Sequence, residues 1–190
     1  MKIADIYRDL PTIETERLLL RKVKAKDTKA IYAYASDPEV ARYVTWPVHT
    51  TIGATQAFVQ FVIEQYRKHD IAPWGMVVKE TDDFIGTIDF VAWQPQHYTA
   101  EIGYTIGRSF WNKGYTSEAA EALIDFGFHN MELERIQARC MVDNVASARV
   151  MEKAGMSYEG TIRRALYVKE QHQDLKLYSI LRNEWRDDRL

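Results

Sequence analysis

Residues 102–119 read Ile102-Gly103-Tyr104-Thr105-Ile106-Gly107-Arg108-Ser109-Phe110-Trp111-Asn112-Lys113-Gly114-Tyr115-Thr116-Ser117-Glu118-Ala119. The stretch opens on alternating β-formers and closes on a run that suits a helix. A strand therefore feeds a turn, and the turn feeds a helix N-terminus. Such a terminus presents backbone N–H groups with no partner inside the helix. Phosphate is the natural ligand of that geometry, because the helix dipole adds to the open donors. Gly114 lets the backbone approach a ligand closely. The spacing matches neither Gly-x-x-x-x-Gly-Lys-Ser/Thr nor Gly-x-Gly-x-x-Gly. An ordinary strand-to-helix turn has the same make-up, so the stretch alone leaves both readings open.

Upstream, the strand at 101–106 alternates, which puts Glu101, Gly103 and Thr105 on one face. Two β-rich runs, 74–79 and 84–93, flank Thr81-Asp82-Asp83 and predict an antiparallel hairpin. Leu18-Leu19-Leu20 reads as a first strand. Asp27 or Thr28 is placed to cap a helix carrying Ala30, Ile31 and Tyr34. Asp37-Pro38 offers a cap and an N-terminal proline for a short helix through Val44. Thr51 suits the cap of a longer helix, with Ala57, Phe58, Phe61, Val62 and Tyr66 as its buried face. Downstream, the pattern predicts a helix over 116–129, a strand over 135–141 and a helix over 144–154. Gly155 suits that helix's left-handed C-terminal cap. A late strand covers 174–181, and the charged tail 182–190 reads as a solvated end. Mixed strands and helices imply an α/β (α+β) domain with a mixed sheet.

Bulk properties narrow the classes. The chain has 190 residues, 46% of them hydrophobic, which fits one folded domain over 1–190 and argues against disorder. Lys and Arg total 25 against 27 Asp and Glu, a net charge of −2. No overall basic field exists to attract nucleic acid, so none is expected as a direct partner. Charges interrupt the first nine residues too often for a signal peptide. No apolar run approaches the ~20 residues that cross a membrane. A single cysteine, Cys140, excludes an intrachain disulfide and fits the reducing cytoplasm, the expected location. Inside a strand it reads as buried and inert. The five histidines lack metal-ligand spacing, so no metal is expected. His69 and His97 read as surface residues.

Four segments together resemble one family. Trp111-Asn112-Lys113-Gly114-Tyr115-Thr116-Ser117-Glu118-Ala119 resembles the pyrophosphate loop of the GNAT acetyltransferase superfamily. More narrowly it resembles the RimJ/RimL-type branch, the ribosomal-protein N-terminal acetyltransferases, whose loop reads W-x-K/R-G-Y-A/T-x-E-A. Asn144-x-x-Ser147, followed by Glu152-Lys153-Ala154-Gly155, is similar to that branch's later motif. Glu14-Thr15-Glu16-Arg17-Leu18-Leu19-Leu20-Arg21 resembles its first strand, and Asp174-x-x-x-Tyr178-x-x-Leu181 its last. The likeness runs in order over about residues 12–185, the expected domain core. It implies a mixed, mostly antiparallel seven-stranded sheet with flanking helices. Its central fourth and fifth strands splay apart, and acetyl-CoA enters the gap as co-substrate. By position, Tyr104, Thr105 and Ile106 meet the pantetheine and acetyl group. The backbone of Asn112, Lys113, Gly114, Tyr115 and Thr116 holds the pyrophosphate, and Asn144 contacts the pantetheine arm.

The implied chemistry is direct attack of an amine on the thioester, without an enzyme nucleophile. The amine must be neutral, the oxyanion needs a donor such as a strand N–H near 104–106, and the thiolate benefits from a proton donor. The resemblance assigns that last role to Ser147; a serine one turn into a capped helix is the alternative. Glu101, at the start of the strand, is the candidate base through water, against an exposed strand-end carboxylate. Asp89 is a second candidate. Two positions depart from the pattern. Met151 stands where many GNAT enzymes carry a tyrosine donor, and Leu166 stands where RimL-like proteins carry a glutamate. Trp46, Trp74, Trp93 and Trp111 line either an acceptor cleft or the core. Acceptor pockets are expected from 47–70 and 95–99. The acceptor is a protein N-terminal amine or a small-molecule amine such as an amino acid, polyamine or antibiotic. A non-catalytic acyl-CoA-binding module is the other class. The assembly is left open, a homodimer among the options.

Overall fold

Alternation in the strands and three- and four-residue spacing in the helices give each element one apolar face to bury. In the computed structural model, which describes residues 1–185, those faces meet on both sides of one sheet. The elements are α1 (Ile3–Tyr7), β1 (Ile13–Glu14), β2 (Leu18–Lys22), α2 (Thr28–Ala35), α3 (Pro38–Ala41), α4 (Ile52–Lys68), β3 (Trp74–Val78), β4 (Phe84–Gln94), β5 (Thr99–Ile106), α5 (Tyr115–Asn130), β6 (Arg135–Met141), α6 (Val145–Lys153), β7 (Ser157–Val168) and β8 (Gln171–Leu181). The strand order is β1-β2-β3-β4-β5-β6-β8-β7. Neighbours are antiparallel except β5 and β6, which are parallel and joined through α5. A parallel pair needs such a crossover. Eight strands replace the expected seven because two-residue β1 pairs with β2. The splayed pair is accordingly the fifth and sixth.

On one face Leu18, Leu20, Trp74, Met76, Ile88 and Phe90 pack against Ala119, Leu123 and Phe128. On the other, Val77 and Phe84 pack against Val59 and Val62 of α4 and Ile31 and Tyr34 of α2. β3, covered on both sides, is buried at all five positions, so it reads as a continuous apolar run. Gly127 lets α5 lie close: a Cβ there would sit 2.7 Å from Ile136 Cδ1.

Several local expectations change. The buried stripe of α4 is Thr55, Val59 and Val62, while Ala57 is exposed and Phe61 is 59% exposed. Thr55 hides in the stripe because its hydroxyl meets His49 Nδ1 at 2.9 Å, which breaks the apolar pattern. Asp27 precedes α2 but does not cap it with its side chain. Its carboxylate turns back to accept from Lys24 N (2.7 Å) and from both terminal nitrogens of Arg21 (2.8 and 2.9 Å). The helix at Pro38 ends at Ala41, short of Val44. α1 and β7 had no sequence signal. β7 is exposed over most of its length and bulged twice, so it lacks a period of two. In the tail, Arg182–Glu184 make a 3-10 turn, and Trp185 is buried against Phe128 with its indole N–H donating to Asp125. The rest of the expected solvated end lies outside the described residues.

The Arg21–Asp27 pair is nearly dry, with side chains 11% and 4% exposed. Burial pushes the Asp27 pKa up, but Arg21 and the Lys24 amide outweigh it and hold the carboxyl below its ordinary range. Its stabilisation is therefore present above the unfolded value of about 3.9 and is lost as pH falls through the folded value. Asp27→Ala strands a buried guanidinium and is expected to cost about 3–5 kcal/mol at pH 7. Urea unfolding at pH 7 checks this, and the deficit should shrink in titrations carried below pH 4.

Candidate active site

β5 and β6 pair only from Thr99–Arg135 to Glu101–Gln137, and then they part. Beyond that point the facing edges of both strands have no strand partner among the described residues. A cleft of about 600 Å³ opens there, between the parted strands, the start of α5 and the start of α6. From the helical side its wall comes from Glu39, Tyr43 and Val44. The expected 47–70 stretch does not line it. Pro95, Gln96 and Tyr98 border a separate open hollow beside the N-terminal residues.

One end of the cleft is the N-terminus of α5. Side chains cap α3, α4 and α6 (Asp37, Thr51 and Asn144), but α5 begins on Gly114 with no side-chain cap. Its first-turn donors stay open for a ligand. Asn112 (φ 60°) and Gly114 (φ 83°) are both left-handed and bend the chain into this turn. The acidic residue of the first turn, Glu118, faces away from the opening. Its Oε1 accepts from Arg17 N (2.8 Å) and Thr15 Oγ1 (2.5 Å), and its Oε2 from Arg17 Nε (2.6 Å). Burial raises the Glu118 pKa, and the Thr15 and Arg17 hydrogen bonds lower it further than that, to a net value below the usual range. Arg17 Nη1 also donates to Lys113 O (2.9 Å), and its guanidinium lies 4.7 Å from the Tyr115 ring centre. Thus the first-strand segment and the loop segment, separated in sequence, form one anchored unit.

The inner end is built around Ser147. Asn144 Oδ1 accepts from Ser147 N (3.1 Å), so the asparagine does cap α6. Its amide nitrogen has no partner among the described residues. Ser147 Oγ lies 3.0 Å from Tyr104 Oη, and Tyr104 Oη lies 3.1 Å from the Ser147 carbonyl. The carbonyl can only accept, so two arrangements exist. Tyr104 either donates to the carbonyl and receives the serine proton, or donates to Oγ and frees that proton for the cleft. Burial raises the Tyr104 pKa far above its ordinary value. Cys140 on β6 is buried, and burial pushes its thiol up. Sequence reasoning set Tyr104 against the pantetheine and acetyl group but did not foresee its contact with Ser147. Strand alternation was the available signal, since it sends position 104 to the face opposite Glu101.

The remaining candidates separate. Glu101 is no exposed strand-end group: its side chain is 12% exposed, and its oxygens accept from Arg139 Nε (2.8 Å) and Gln137 Nε2 (3.0 Å). Asp89 sits on β4, opposite Gly103, half-buried. Met151 is buried core, and Leu166, like Tyr43, packs on the cluster of Met141, Val168 and Leu175. Trp74 and Trp93 are core, Trp46 packs on His49, and Trp111 lines the cleft with its indole N–H on Ile106 O (3.0 Å). His97 is exposed and His69 ends α4 half-buried. Among the described residues, no cluster of three or more His, Cys, Asp or Glu is placed to hold a metal, and no helix is long and apolar enough to cross a membrane.

Removing the anchor should loosen the loop without touching the inner end. Arg17→Ala is expected to weaken coenzyme A binding about tenfold, the scale of one charge-assisted hydrogen bond. Calorimetry checks this. Wild-type affinity should also fall as acid protonates Glu118, because that carboxylate is charged only above its lowered folded pKa.

Comparison with known proteins points the same way. The model of the acetyltransferase (GNAT) domain matches residues 17–157. The uncharacterized N-acetyltransferase p20 of Bacillus licheniformis is 34% identical over 176 residues, 93% of this chain and 99% of that one. The ribosomal-protein-serine acetyltransferase of Escherichia coli is 36% identical over 104 residues, 55% of this chain and 58% of that one. Among solved structures, a GNAT-family acetyltransferase from Bacillus anthracis superposes with a TM-score of 0.82 at 35% identity, covering 91% of this chain and 99% of that one. With a split sheet, an uncapped helix at its mouth and a matching domain model, this chain belongs to the GNAT family of acetyl-CoA-dependent acetyltransferases.

Proposed function

We propose that this chain, as one domain over residues 1–190, moves the acetyl group of acetyl-CoA to a primary amine by direct attack. The observation that carries this is the parting of β5 from β6 after three residue pairs, with Ser147 at one end of the gap and open helix donors at the other. Buried backbone groups need partners, and an extended amide-bearing pantetheine can supply them along Tyr104, Thr105 and Ile106. The amide nitrogen of Asn144 can donate to the same arm. The backbone of Asn112, Lys113, Gly114, Tyr115 and Thr116 then receives the pyrophosphate.

Ser147 acts on the departing sulfur as a hydrogen-bond donor rather than a proton source. A thiol has a pKa of about 8.5, far below that of a serine hydroxyl. Full proton transfer from serine to thiolate therefore runs uphill, and a donated hydrogen bond does not. Tyr104 decides whether the serine proton faces the cleft. A backbone N–H of the 104–106 edge is suited to the oxyanion.

The E. coli relative's name, a ribosomal-protein-serine acetyltransferase, supports a protein as acceptor, and a protein's N-terminal amine is the first reading. A small-molecule amine is the second reading. It is favoured by Lys169 Nζ bonding to Ala41 O and by Tyr43 and Leu166 packing on the same cluster of Met141, Val168 and Leu175, which together hold the hairpin beside α3. The absence of a membrane-crossing helix among the described residues is compatible with work in the cytoplasm.

The test is acetyl-CoA with a panel of N-terminal-serine peptides, amino acids, polyamines and aminoglycosides, read by mass spectrometry. Acetylated product from one class is expected; tight CoA binding with no product from any amine would make the chain a binding module. Ser147→Ala is expected to lower kcat about 10- to 100-fold while CoA affinity changes less than about twofold. Unchanged kcat would return Ser147 to packing and capping.

A further inference from the structure

On the sheet face opposite Ile88, Phe90 and Ile102, β4 and β5 carry two carboxylates, Asp89 and Glu101. They differ in what holds them. Glu101 stands at the last pair before the strands part, and side chains from β6 take both its oxygens. Asp89 makes no hydrogen bond or ion pair among the described residues. Its register partner is Gly103, which lines the cleft. Directly opposed residues of an antiparallel pair share a face. Gly103 has no side chain to fill that layer. A Cβ built on it would lie 3.7 Å from Asp89 Oδ1 and 2.6 Å from Val91 Cγ1. With glycine at 103, the Val91 side chain and the Asp89 carboxylate share that layer, and the carboxylate lies against a backbone position that lines the cleft.

We infer that Asp89, rather than Glu101, takes the proton from the acceptor ammonium. This rests on the acetyltransfer reading above. The acceptor enters as R–NH3⁺ and gives one proton to the Asp89 carboxylate, directly or through one water. The neutral nitrogen attacks the thioester carbon, so a C–N bond forms and the C–S bond breaks. The second nitrogen proton passes to the CoA thiolate, and Asp89 returns its own to solvent. Protons, charge and bonds balance with no further reactant.

The surroundings suit the role. Tyr7 of α1 and Tyr66 of α4 feel the Asp89 charge, and burial holds both phenols neutral through the working range. Tyr66 accepts from Val23 N and donates to Pro73 O, so it is committed elsewhere. Tyr7 Oη is buried without a hydrogen-bond partner among the described residues. On β5 and β6 the charged groups nearest the fork, Glu101 and Arg139, hold each other. Among the described residues no cation is set against Asp89, and burial raises its pKa to about 7. A base is most effective when its pKa lies near the working pH. A half-buried carboxylate with no partner lowers stability as pH rises from the unfolded value toward 7, which marks it as held for use rather than for folding.

Two measurements decide it. In protein labelled with ¹³C at the aspartate carboxyls, one resonance should titrate near pH 7 and be missing from Asp89→Asn. Titration of Asp89 in the ordinary carboxylate range would overturn the assignment whatever the acceptor is. In kinetics at pH 7.5, Asp89→Asn should lower kcat about 100-fold with the best ammonium acceptor of the panel and lose the acid limb of the wild-type profile. With methoxyamine, a primary amine already neutral at that pH, the same variant should lose less than about threefold, with CoA affinity unchanged. Equal losses on both amines would make Asp89 structural, and an acid limb abolished by Glu101→Gln instead would move the role there. Wild-type activity that survives in Asp89→Asn sinks the base alone. A wild type that acetylates no amine sinks the acetyltransfer reading and the base with it.

Discussion

Two parallel strands that stop pairing after three residues impose the main constraint on this molecule. Peptide groups inside a protein must be hydrogen-bonded, and those beyond Glu101 and Gln137 have lost their natural partners. The gap persists because both sides are held. Tyr104 reaches from β5 to the serine on α6, and Asn144 fixes that serine's turn. A ligand with its own amides restores the missing ladder, and the uncapped start of α5 receives its anionic end.

The fork must not run further down the sheet, and a ladder of side chains stops it. Arg139 and Gln137 bind Glu101 across the last pairs of β5 and β6. Arg135 donates to Gln137 Oε1 (3.3 Å) and forms a two-pronged bond to Glu159 on β7 (2.6 Å each). Ser179 of β8 donates to the same carboxylate at 2.6 Å. Arg135 and Ser179 hold the Glu159 carboxyl down to about 2. The chain of contacts spans β5, β6, β8 and β7. It also separates the carboxylates by task, because Glu101 joins the ladder and Asp89 does not.

Much of the site was legible because it is local. The strand, loop and helix of 102–119 appear within a residue or two of their predicted places, and the capping of α6 by Asn144 follows from the preference of asparagine for that position. Gly155 is left-handed as expected, with Met156 N closing onto Met151 O. Other features failed for identifiable reasons. Thr55 satisfied its hydroxyl on His49 and so entered a buried face that an apolar count assigns to Phe61. β7 carries no alternation because neither of its faces is well covered.

The amino-acid order by itself determined the turn, the caps and the phosphate-seeking helix start, because backbone sterics and first-turn hydrogen bonds act between near neighbours. Tertiary structure alone decided that Arg17 grips Glu118, that Tyr104 meets Ser147, and that Glu101 is tied while Asp89 is not. Those outcomes depend on strand register and on which groups lose water, and both are set by residues far apart along the chain.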